Sequence, residues 1–185
     1  MKDNKQRLLT VLFAKPEYHF HIRELAREAK LHPNTVIALT DQLAKEGIIL
    51  KEKYKHLVEV YCNSDSEVYR RSKKIFNLAR IHESGILDFI INFYHNPKAI
   101  ILFGSYSRGE DHSQSDLDIA IITTNKNNPK VSSFEKELHR KIHVLTLEYK
   151  DISPEFYNNL INGIVLYGYL KDERLSILPP REKST

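Results

Sequence analysis

Two short apolar segments on either side of a polar stretch constrain the fold of this chain more than any other feature. The first is Ala99–Phe103, which runs directly into Gly104 and Ser105, and the second follows Asp116. Short apolar runs bounded by turn residues predict buried β-strands. Strands that alternate with helices indicate a mixed α/β domain after Pro97. The predicted strands are 99–103, 117–123, 142–147 and 164–166, and the predicted helices are 130–140 and 154–162.

The polar residues between these two strands form a pattern suited to phosphate and metal chemistry. Glycine lets a backbone approach a phosphate closely, and Ser105 adds a hydroxyl beside backbone N–H groups at a predicted helix start. Asp116 and Asp118 are two residues apart on a predicted strand, so both side chains leave the same face while Leu117 and Ile119 enter the core. Two carboxylates placed in this way can hold hard divalent ions.

The first 61 residues show a different pattern, which predicts three helices followed by two short strands. The third helix starts at Pro33, which suits a first turn, and ends near Gly47. The strands, 48–50 and 58–61, would pair around a polar tip at 51–56. The residues predicted to face the core of this unit are Leu8, Leu9, Leu12, Phe13, Ile22, Leu25, Ala26, Ala29, Val36, Leu39 and Leu43.

The exposed face of the third predicted helix carries side chains that can read DNA bases. Asn and Gln can bind adenine through two hydrogen bonds, and Thr or Ala can contact a thymine methyl group in the major groove. Lysines of the hairpin would bind phosphates. The predicted DNA-binding residues are Asn34, Thr35, Ala38, Gln42, Lys45, Lys53 and Lys55, with Arg23, Arg27 and Lys51 as further phosphate contacts. Asp41 on the same face argues against this role and favours contact with protein instead.

The overall charge is small, but it is unevenly distributed. Of a net charge of +4, residues 1–62 carry 11 basic and 8 acidic residues, and the remainder carries 17 and 16. This surplus points weakly to an anionic partner of the first unit. The single cysteine, Cys62, has no partner within the chain and is interpreted as a core or strand residue. The longest apolar runs, 86–93 and 99–103, are much shorter than a membrane span, so we expect a cytoplasmic protein that does not enter a membrane.

The segment from Phe20 to Tyr61 resembles a winged helix-turn-helix domain. The resemblance is carried by three runs of sequence, 22–27, 32–36 and 43–48. It implies double-stranded DNA as a partner and homodimerisation to match two half-sites. The alternative is a winged domain used for dimerisation or for contact with another protein. His21 and His32 depart from the pattern, because Ser or Thr would be the better helix N-cap. We interpret His19 and His21 as structural and not as metal ligands.

The segment from about Asn96 to Leu170 resembles the minimal nucleotidyltransferases of the DNA polymerase beta-like superfamily. Gly104-Ser105, Arg108-Gly109-Glu110, the two aspartates and the closing run 162–168 carry this resemblance. It implies transfer of a nucleoside monophosphate from an NTP, with ATP expected, to a hydroxyl group. Gly104, Ser105 and Arg108 would bind the nucleotide, and Asp116 and Asp118 would bind Mg²⁺, with a two-metal site expected. The family also suggests an antitoxin-like role with a toxin-type protein as acceptor.

One position departs from the pattern of that family. A third carboxylate usually stands on the next core strand, and here the matching residue is His143. A neutral imidazole can accept a proton but is a poorer Mg²⁺ ligand than a carboxylate. Glu148 is the nearest acid on that strand, and its odd offset from His143 places it on the opposite face of a regular strand. The predicted catalytic residues are therefore Asp116, Asp118 and His143.

The sequence thus predicts an α+β protein of two domains, an N-terminal winged helix-turn-helix and a small mixed α/β nucleotidyltransferase domain. The boundaries are 1–63 for the first domain, 64–95 for a helical connector, 96–170 for the second domain and 171–185 for a tail. The alternative function is a transcriptional regulator whose degenerate transferase domain senses a nucleotide or mediates dimerisation. A small-molecule transferase of the antibiotic-modifying type would need an acceptor pocket that the sequence does not reveal.

Overall fold

The computed structural model describes residues 3–54 and 57–171, so Lys55 and the tail from 172 onwards lie outside the described residues. The first unit contains helices α1 (Asn4–Ala14), α2 (Ile22–Ala29) and α3 (Pro33–Lys45). Its strands β1 (Phe20–His21), β2 (Ile49–Tyr54) and β3 (Leu57–Cys62) form an antiparallel sheet in the order β1-β3-β2. The core lies between the helices and this sheet, and it includes Leu12, Phe20, Leu25, Val36, Leu43 and Val60.

The hairpin of this unit is longer than the sequence predicts. The pairing of β2 with β3 runs without interruption from Ile49 opposite Cys62 to Tyr54 opposite Leu57. Residues 51–54, which were expected in a polar tip, therefore belong to the strand. Polar residues are tolerated here because β2 is an edge strand whose outer face meets solvent. Tyr61 also donates a hydrogen bond from its hydroxyl to Glu52 of the paired strand at 2.5 Å.

The helix starts of α2 and α3 are capped by different side chains. His32 accepts a hydrogen bond at Nδ1 from the backbone N–H of Asn34 at 3.3 Å, so it satisfies one free donor of the first turn of α3. At α2 the Glu24 carboxylate accepts from the backbone N–H of His21. At α3 the imidazole of His32 therefore takes the place of a Ser or Thr hydroxyl, whereas at α2 the hydrogen bond is supplied by Glu24.

Two helices, α4 (Glu67–Ser84) and α5 (Ile86–Phe93), follow the first unit, with Gly85 between them in the left-handed region. Ser66 caps α4 by accepting hydrogen bonds from the backbone N–H groups of Val68 and Tyr69. The first half of α4 packs Tyr69 and Phe76 into the core of the first unit. Its second half packs Leu78 and Ile81 into the core that follows. Within the predicted connector, α4 therefore contributes side chains to both hydrophobic cores.

The second unit is built on a four-stranded sheet in the order β6-β5-β4-β7, in which only β5 and β6 are parallel. Its strands are β4 (Ala99–Phe103), β5 (Leu117–Ile122), β6 (Ile142–Leu147) and β7 (Ile164–Gly168), and its helices are α6 (Gly104–Arg108), α7 (Ser132–Leu138) and α8 (Pro154–Ile161). All four predicted strands are present, and β7 extends two residues beyond the predicted 164–166.

Alternate residues of these strands enter two separate cores, because successive strand side chains point to opposite faces. One face buries Ile100, Leu102, Leu117, Ile119 and Ile121 beneath α4, α5 and α7. The other buries Ala99, Ile101, Ala120 and Ile122 against Leu160 and Phe156 of α8. Asp118 belongs to this second set of strand positions. None of the helices in the described ranges is long and apolar enough to cross a membrane.

Candidate active site

The turn between β4 and α6 places a glycine backbone directly against a carboxylate. Gly104 has φ +72°, and a Cβ atom added there would lie 2.5 Å from Oδ2 of Asp118. Asp118 reaches this position because it pairs with Phe103, the last residue of β4, in the antiparallel register. Only glycine adopts this φ at low cost and leaves room for the carboxylate. The sequence predicted Gly104 for close approach to a phosphate, and the structure adds that this glycine also makes room for Asp118.

The helix that follows is one short turn, and its geometry keeps Ser105 near the start. Ser105 is partly exposed. The backbone N–H groups of the first helical turn have no partner within the helix and are available to an anion. Gly109, at φ +73°, ends this turn, and Glu110 donates its backbone N–H to the carbonyl of Ser105 at 3.1 Å. Arg108 is exposed, and its Nε lies 2.6 Å from Oε2 of Glu110. Its guanidinium is therefore held beside the turn by an ion pair.

The second strand pair brings Asp118 and His143 together. These residues are direct partners in the parallel register of β5 and β6, and Asp118 Oδ1 lies 3.5 Å from His143 Nδ1. The Asp118 side chain is 26% exposed and that of His143 is 66% exposed, so both remain open to a ligand. Asp116 precedes the first residue of β5 and is exposed. Among the described residues, no group of three or more His, Cys, Asp or Glu is placed to hold one metal ion.

Glu148 does not supply the missing third carboxylate. The β5–β6 register is continuous from Leu117 opposite Ile142 to Ile122 opposite Leu147, so no bulge turns Glu148 toward Asp118. Glu148 lies past the far end of β6, roughly 16 Å from His143 at about 3.3 Å per residue. There its carboxylate pairs with Lys150 at 3.2 Å and Lys126 at 3.4 Å. The hydrogen bond from Lys150 is the main cause that lowers the pKa of Glu148.

A groove opens beside Asp116, between the loop that carries this residue and α7. The cavity measures about 600 Å³. Its lining residues are all polar or charged by type, but most of the surface that they expose to the cavity is carbon; they are Ser113, Gln114, Ser115, Asp116, Ser132, Glu135, Lys136, His139, Arg140 and Lys141. The groove therefore continues from one of the two predicted metal ligands. The sequence alone showed no such space, since its walls come from three separate segments.

A buried charge cluster behind this loop was not identified from the sequence. Asp111 is surrounded by Lys73 and Asn77 of α4 and by Arg140, which follows α7. The signal that could have found it is the pattern of α4, in which Lys73 and Asn77 occupy the core-facing positions between Tyr69 and Ile81. A lysine and an asparagine at core-facing helix positions indicate that a buried polar partner is required.

The predicted DNA-binding residues lie mostly on one exposed surface of the first unit. Asn34, Ala38, Gln42 and Lys45 are exposed on α3, and Thr35 is half-buried. Lys53 is exposed on β2, whereas Lys55 is outside the described residues. Asp41 on this surface is paired with Lys51 at 2.5 Å, and Lys51 is the main cause that lowers the Asp41 pKa. The negative charge of Asp41, which argues against DNA binding, is therefore balanced by the positive charge of Lys51.

Two other sequence interpretations concern residues away from both surfaces. Cys62 is buried, and burial raises the pKa of its thiol to about 12, so it stays protonated and unreactive at neutral pH. His19 stacks on the ring of Tyr61 at 4.0 Å between centroids and lies 3.3 Å from Glu59. The burial of Cys62 and the contacts of His19 with Tyr61 and Glu59 support structural roles for Cys62 and His19.

Residues 86–172 match the family model described as Polymerase beta, Nucleotidyltransferase. This match supports the nucleotidyltransferase superfamily for the second unit and suggests nucleotidyl transfer in general. No curated protein matches the chain. Among solved structures, a similar one is the crystal structure of hypothetical protein PyrSV_gp04 from Pyrobaculum spherical virus, at 16% sequence identity and a TM-score of 0.29. The alignment covers 45% of this chain and 52% of the viral protein, so the chain spans about half the length of that protein.

Proposed function

We propose that the second unit transfers a nucleoside monophosphate from an NTP to a hydroxyl group in a Mg²⁺-dependent reaction. The observation that carries this proposal is the packing of Gly104 against the Asp118 carboxylate, which joins a phosphate-binding turn to a metal ligand. A nucleotidyl transfer needs the triphosphate and its cation side by side, and this turn supplies both contacts at one point. The family match over residues 86–172 supports the same reaction class.

The residues present fit a divalent cation bound with a nucleotide. Asp116 and Asp118 offer hard carboxylate oxygens, which suit Mg²⁺, and the space that a Cβ of residue 104 would fill is left to the Asp118 carboxylate. Mg²⁺ usually keeps several waters and binds one or two carboxylates together with substrate phosphates, so two aspartates are sufficient. When bound, the cation would neutralise phosphate charge and polarise the hydroxyl that attacks.

The role of His143 in this proposal is to accept a proton. The Asp118 oxygen faces Nδ1 and favours the tautomer that carries its proton there, which leaves Nε2 free to accept one. A neutral imidazole in that state can act as the general base for the acceptor hydroxyl. Ser105, Arg108 and the backbone of the Gly104 turn would hold the triphosphate, so that catalysis consists mostly of positioning and charge neutralisation.

The groove beside Asp116 is the proposed route for the acceptor. It is large enough for a side chain or a small molecule that carries a hydroxyl, and it borders a metal ligand. A protein partner of the toxin type would insert a hydroxyl-bearing side chain here.

Binding of Mg²⁺ and a non-hydrolysable ATP analogue tests the proposal by calorimetry. We expect the Asp116→Asn/Asp118→Asn variant to bind the analogue at least about tenfold more weakly in Mg²⁺, because the cation that bridges protein and phosphates loses both carboxylates. The control is Glu148→Gln, which neutralises an acid at the far end of β6, and it should bind as the wild type does. Equal affinity in all three proteins would contradict the proposal. Wild-type binding without transfer to any acceptor would favour the nucleotide-sensing regulator.

A second proposed function, binding of double-stranded DNA, belongs to the first unit. It is favoured by the exposed Asn34, Ala38, Gln42 and Lys45 on one face of α3, next to the antiparallel hairpin of β2 and β3. Such a helix can read base edges in the major groove while a hairpin lysine such as Lys53 contacts phosphates. Two half-sites would require two copies of the chain.

A gel-shift series at increasing salt tests this second proposal. Affinity should fall as salt rises, and the Asn34→Ala/Gln42→Ala variant should lose discrimination between sequences by about 1–3 kcal/mol per base contact. Exchange of Lys126, a lysine of the second unit, for Met is the control and should leave the shift unchanged. Binding that is insensitive to the two α3 substitutions would remove this helix from the DNA surface.

A further inference from the structure

The segment between Ser105 and Asp116 is fixed by a buried cluster of charges centred on Asp111. Lys73 Nζ lies 3.3 Å from Asp111 Oδ2 and also donates to the Asp111 carbonyl, and Arg140 Nη2 lies 3.3 Å from the same Oδ2. Asn77 donates from Nδ2 to Asp111 Oδ1 at 2.8 Å. The side chains of Lys73, Asp111 and Arg140 are 0%, 1% and 7% exposed. Three charged groups are therefore removed from water around one loop residue.

A buried cluster of charges contributes little net free energy to the stability of a fold. Each buried ion costs several kcal/mol in lost hydration, and well-packed apolar residues of similar volume are often as stable or more so. Burial lowers the pKa of Lys73, and Asp111 opposes this change. The cluster does have a geometric consequence, because ions held at fixed distances allow the loop few alternative positions.

Arg140 connects the buried cluster to the segment that carries Asp116, a predicted metal ligand. Besides Asp111, its guanidinium donates from Nη1 to the Ser113 carbonyl at 2.8 Å, so one side chain holds two points of the loop. The next residue, Lys141, accepts the backbone N–H of Leu117 at 2.8 Å, which starts the β5–β6 pairing. Asp116 lies between Ser113 and Leu117, and both of its flanks are therefore tied to the Arg140-Lys141 segment.

The start of the loop is tied to α4 in a similar way. Asn77 donates from Nδ2 to the Tyr106 carbonyl at 2.9 Å, and Gly109 packs against the backbone of Arg70 and Lys74. The loop between the phosphate turn and Asp116 is therefore held by α4, by Arg140 and, through the backbone N–H of Ser113, by Glu17 of the first unit. Asp116 is itself exposed.

We propose that Arg140 and Asp111 are positioning residues, which set the distance between Asp116 and the Gly104-Ser105 turn so that one cation can meet both. In this role both residues act on Asp116 through the loop. This inference rests on the proposed function of the same site, and it adds a set of residues that act on the site from behind the loop.

The variant Arg140→Lys tests the inference, because lysine keeps the charge but lacks the fork that holds Asp111 and the Ser113 carbonyl together. Binding of Mn²⁺ in the presence of the ATP analogue, followed by electron paramagnetic resonance, should weaken about tenfold. Arg80→Lys is the matched control, since Arg80 also bridges α4 to a carbonyl, that of Glu137 on α7 at 2.7 Å. This control should bind as the wild type does.

A double-mutant cycle separates positioning from a general loss of structure. In an Asp116→Asn background, Arg140→Lys should change Mn²⁺ affinity by less than about twofold, because the ligand that it positions is already absent. The Lys73→Met/Asp111→Leu/Arg140→Met variant provides a second route, because it replaces all three buried charges and leaves no ion unpaired: it should remain folded, as judged by its melting temperature, and still lose about tenfold in affinity.

The outcomes distinguish this inference from the proposed function. Wild-type affinity in both Arg140→Lys and Lys73→Met/Asp111→Leu/Arg140→Met would overturn the positioning role alone. An equal loss in Arg140→Lys with and without Asp116 would also overturn it. A wild-type protein that binds no Mn²⁺ with nucleotide would overturn the proposed function and the inference with it.

Discussion

Replacement of Asp118 by asparagine should reduce nucleotidyl transfer on the order of a thousandfold. The substitution keeps the shape of the side chain, so the contact with the Gly104 backbone is preserved while the negative charge is lost. Without that charge, the cation and the triphosphate would lose their contact at the end of β4, and His143 would lose the negative charge 3.5 Å from its Nδ1. The assay follows label from the α-phosphate of ATP into candidate acceptors in Mg²⁺.

The control for this prediction is Glu148→Gln, which makes the same chemical change on an acid that follows the neighbouring strand β6. Glu148 pairs with Lys126 and Lys150 and lies at the far end of β6, so its loss should leave transfer unchanged. The melting temperature of Asp118→Asn should stay close to that of the wild type, because exposed ion pairs contribute little to stability. Full transfer by Asp118→Asn would exclude the proposed mechanism.

Replacement of Gly104 by alanine should lower transfer about a hundredfold, through displacement of the Asp118 carboxylate. The new Cβ would lie 2.5 Å from Oδ2, which is closer than such atoms pack, and the φ of +72° adds strain for any residue with a side chain. The positive φ alone costs about 1–2 kcal/mol of folding stability. The expected phenotype is therefore a folded but less stable protein with weak Mg²⁺-dependent nucleotide binding.

Gly85→Ala is a matched control for this second prediction. Gly85 has the same φ of +72°, but a Cβ there would meet no atom within 4 Å. Both alanine variants should lose stability through the backbone, and only Gly104→Ala should lose transfer and nucleotide binding. Similar activity losses in the two variants would indicate that stability, and not the contact with Asp118, explains the effect.

The helix α4 gives the molecule an organisation that a division into two domains does not describe fully. Its first half lies in the core of the first unit and its second half in the core of the second. Lys73 and Asn77 on the same helix hold the loop that precedes Asp116. Glu17 of the first unit also accepts a hydrogen bond from the backbone N–H of Ser113 at 3.3 Å. The first unit is therefore in direct contact with the loop of the candidate active site.

Local periodicity was sufficient to predict most of the secondary structure. The four strands of the second sheet and the helices α1, α2, α3, α7 and α8 are each indicated by the spacing of apolar residues and by the turn residues around them. The predicted helical connector is divided at Gly85 into α4 and α5, and β1 was not predicted. The pattern failed at the hairpin, where residues 51–54 continue β2 although their polarity suggests a tip. An edge strand needs an apolar partner on one face only, and polarity is therefore a weak guide to where it ends.

The sequence by itself determined that a Gly-Ser turn and an Asp-x-Asp pair lie at the ends of neighbouring strands, because these signals are local and depend on side-chain size and a period of two. Only the tertiary structure decided which groups meet there. The unbroken parallel register places His143 beside Asp118 and keeps Glu148 at the other end of β6. The tertiary structure also brings Lys73, Asp111 and Arg140, which are far apart along the chain, together in one buried cluster. Strand register and helix packing are set by many weak contacts over the whole core, so no single stretch of sequence specifies them.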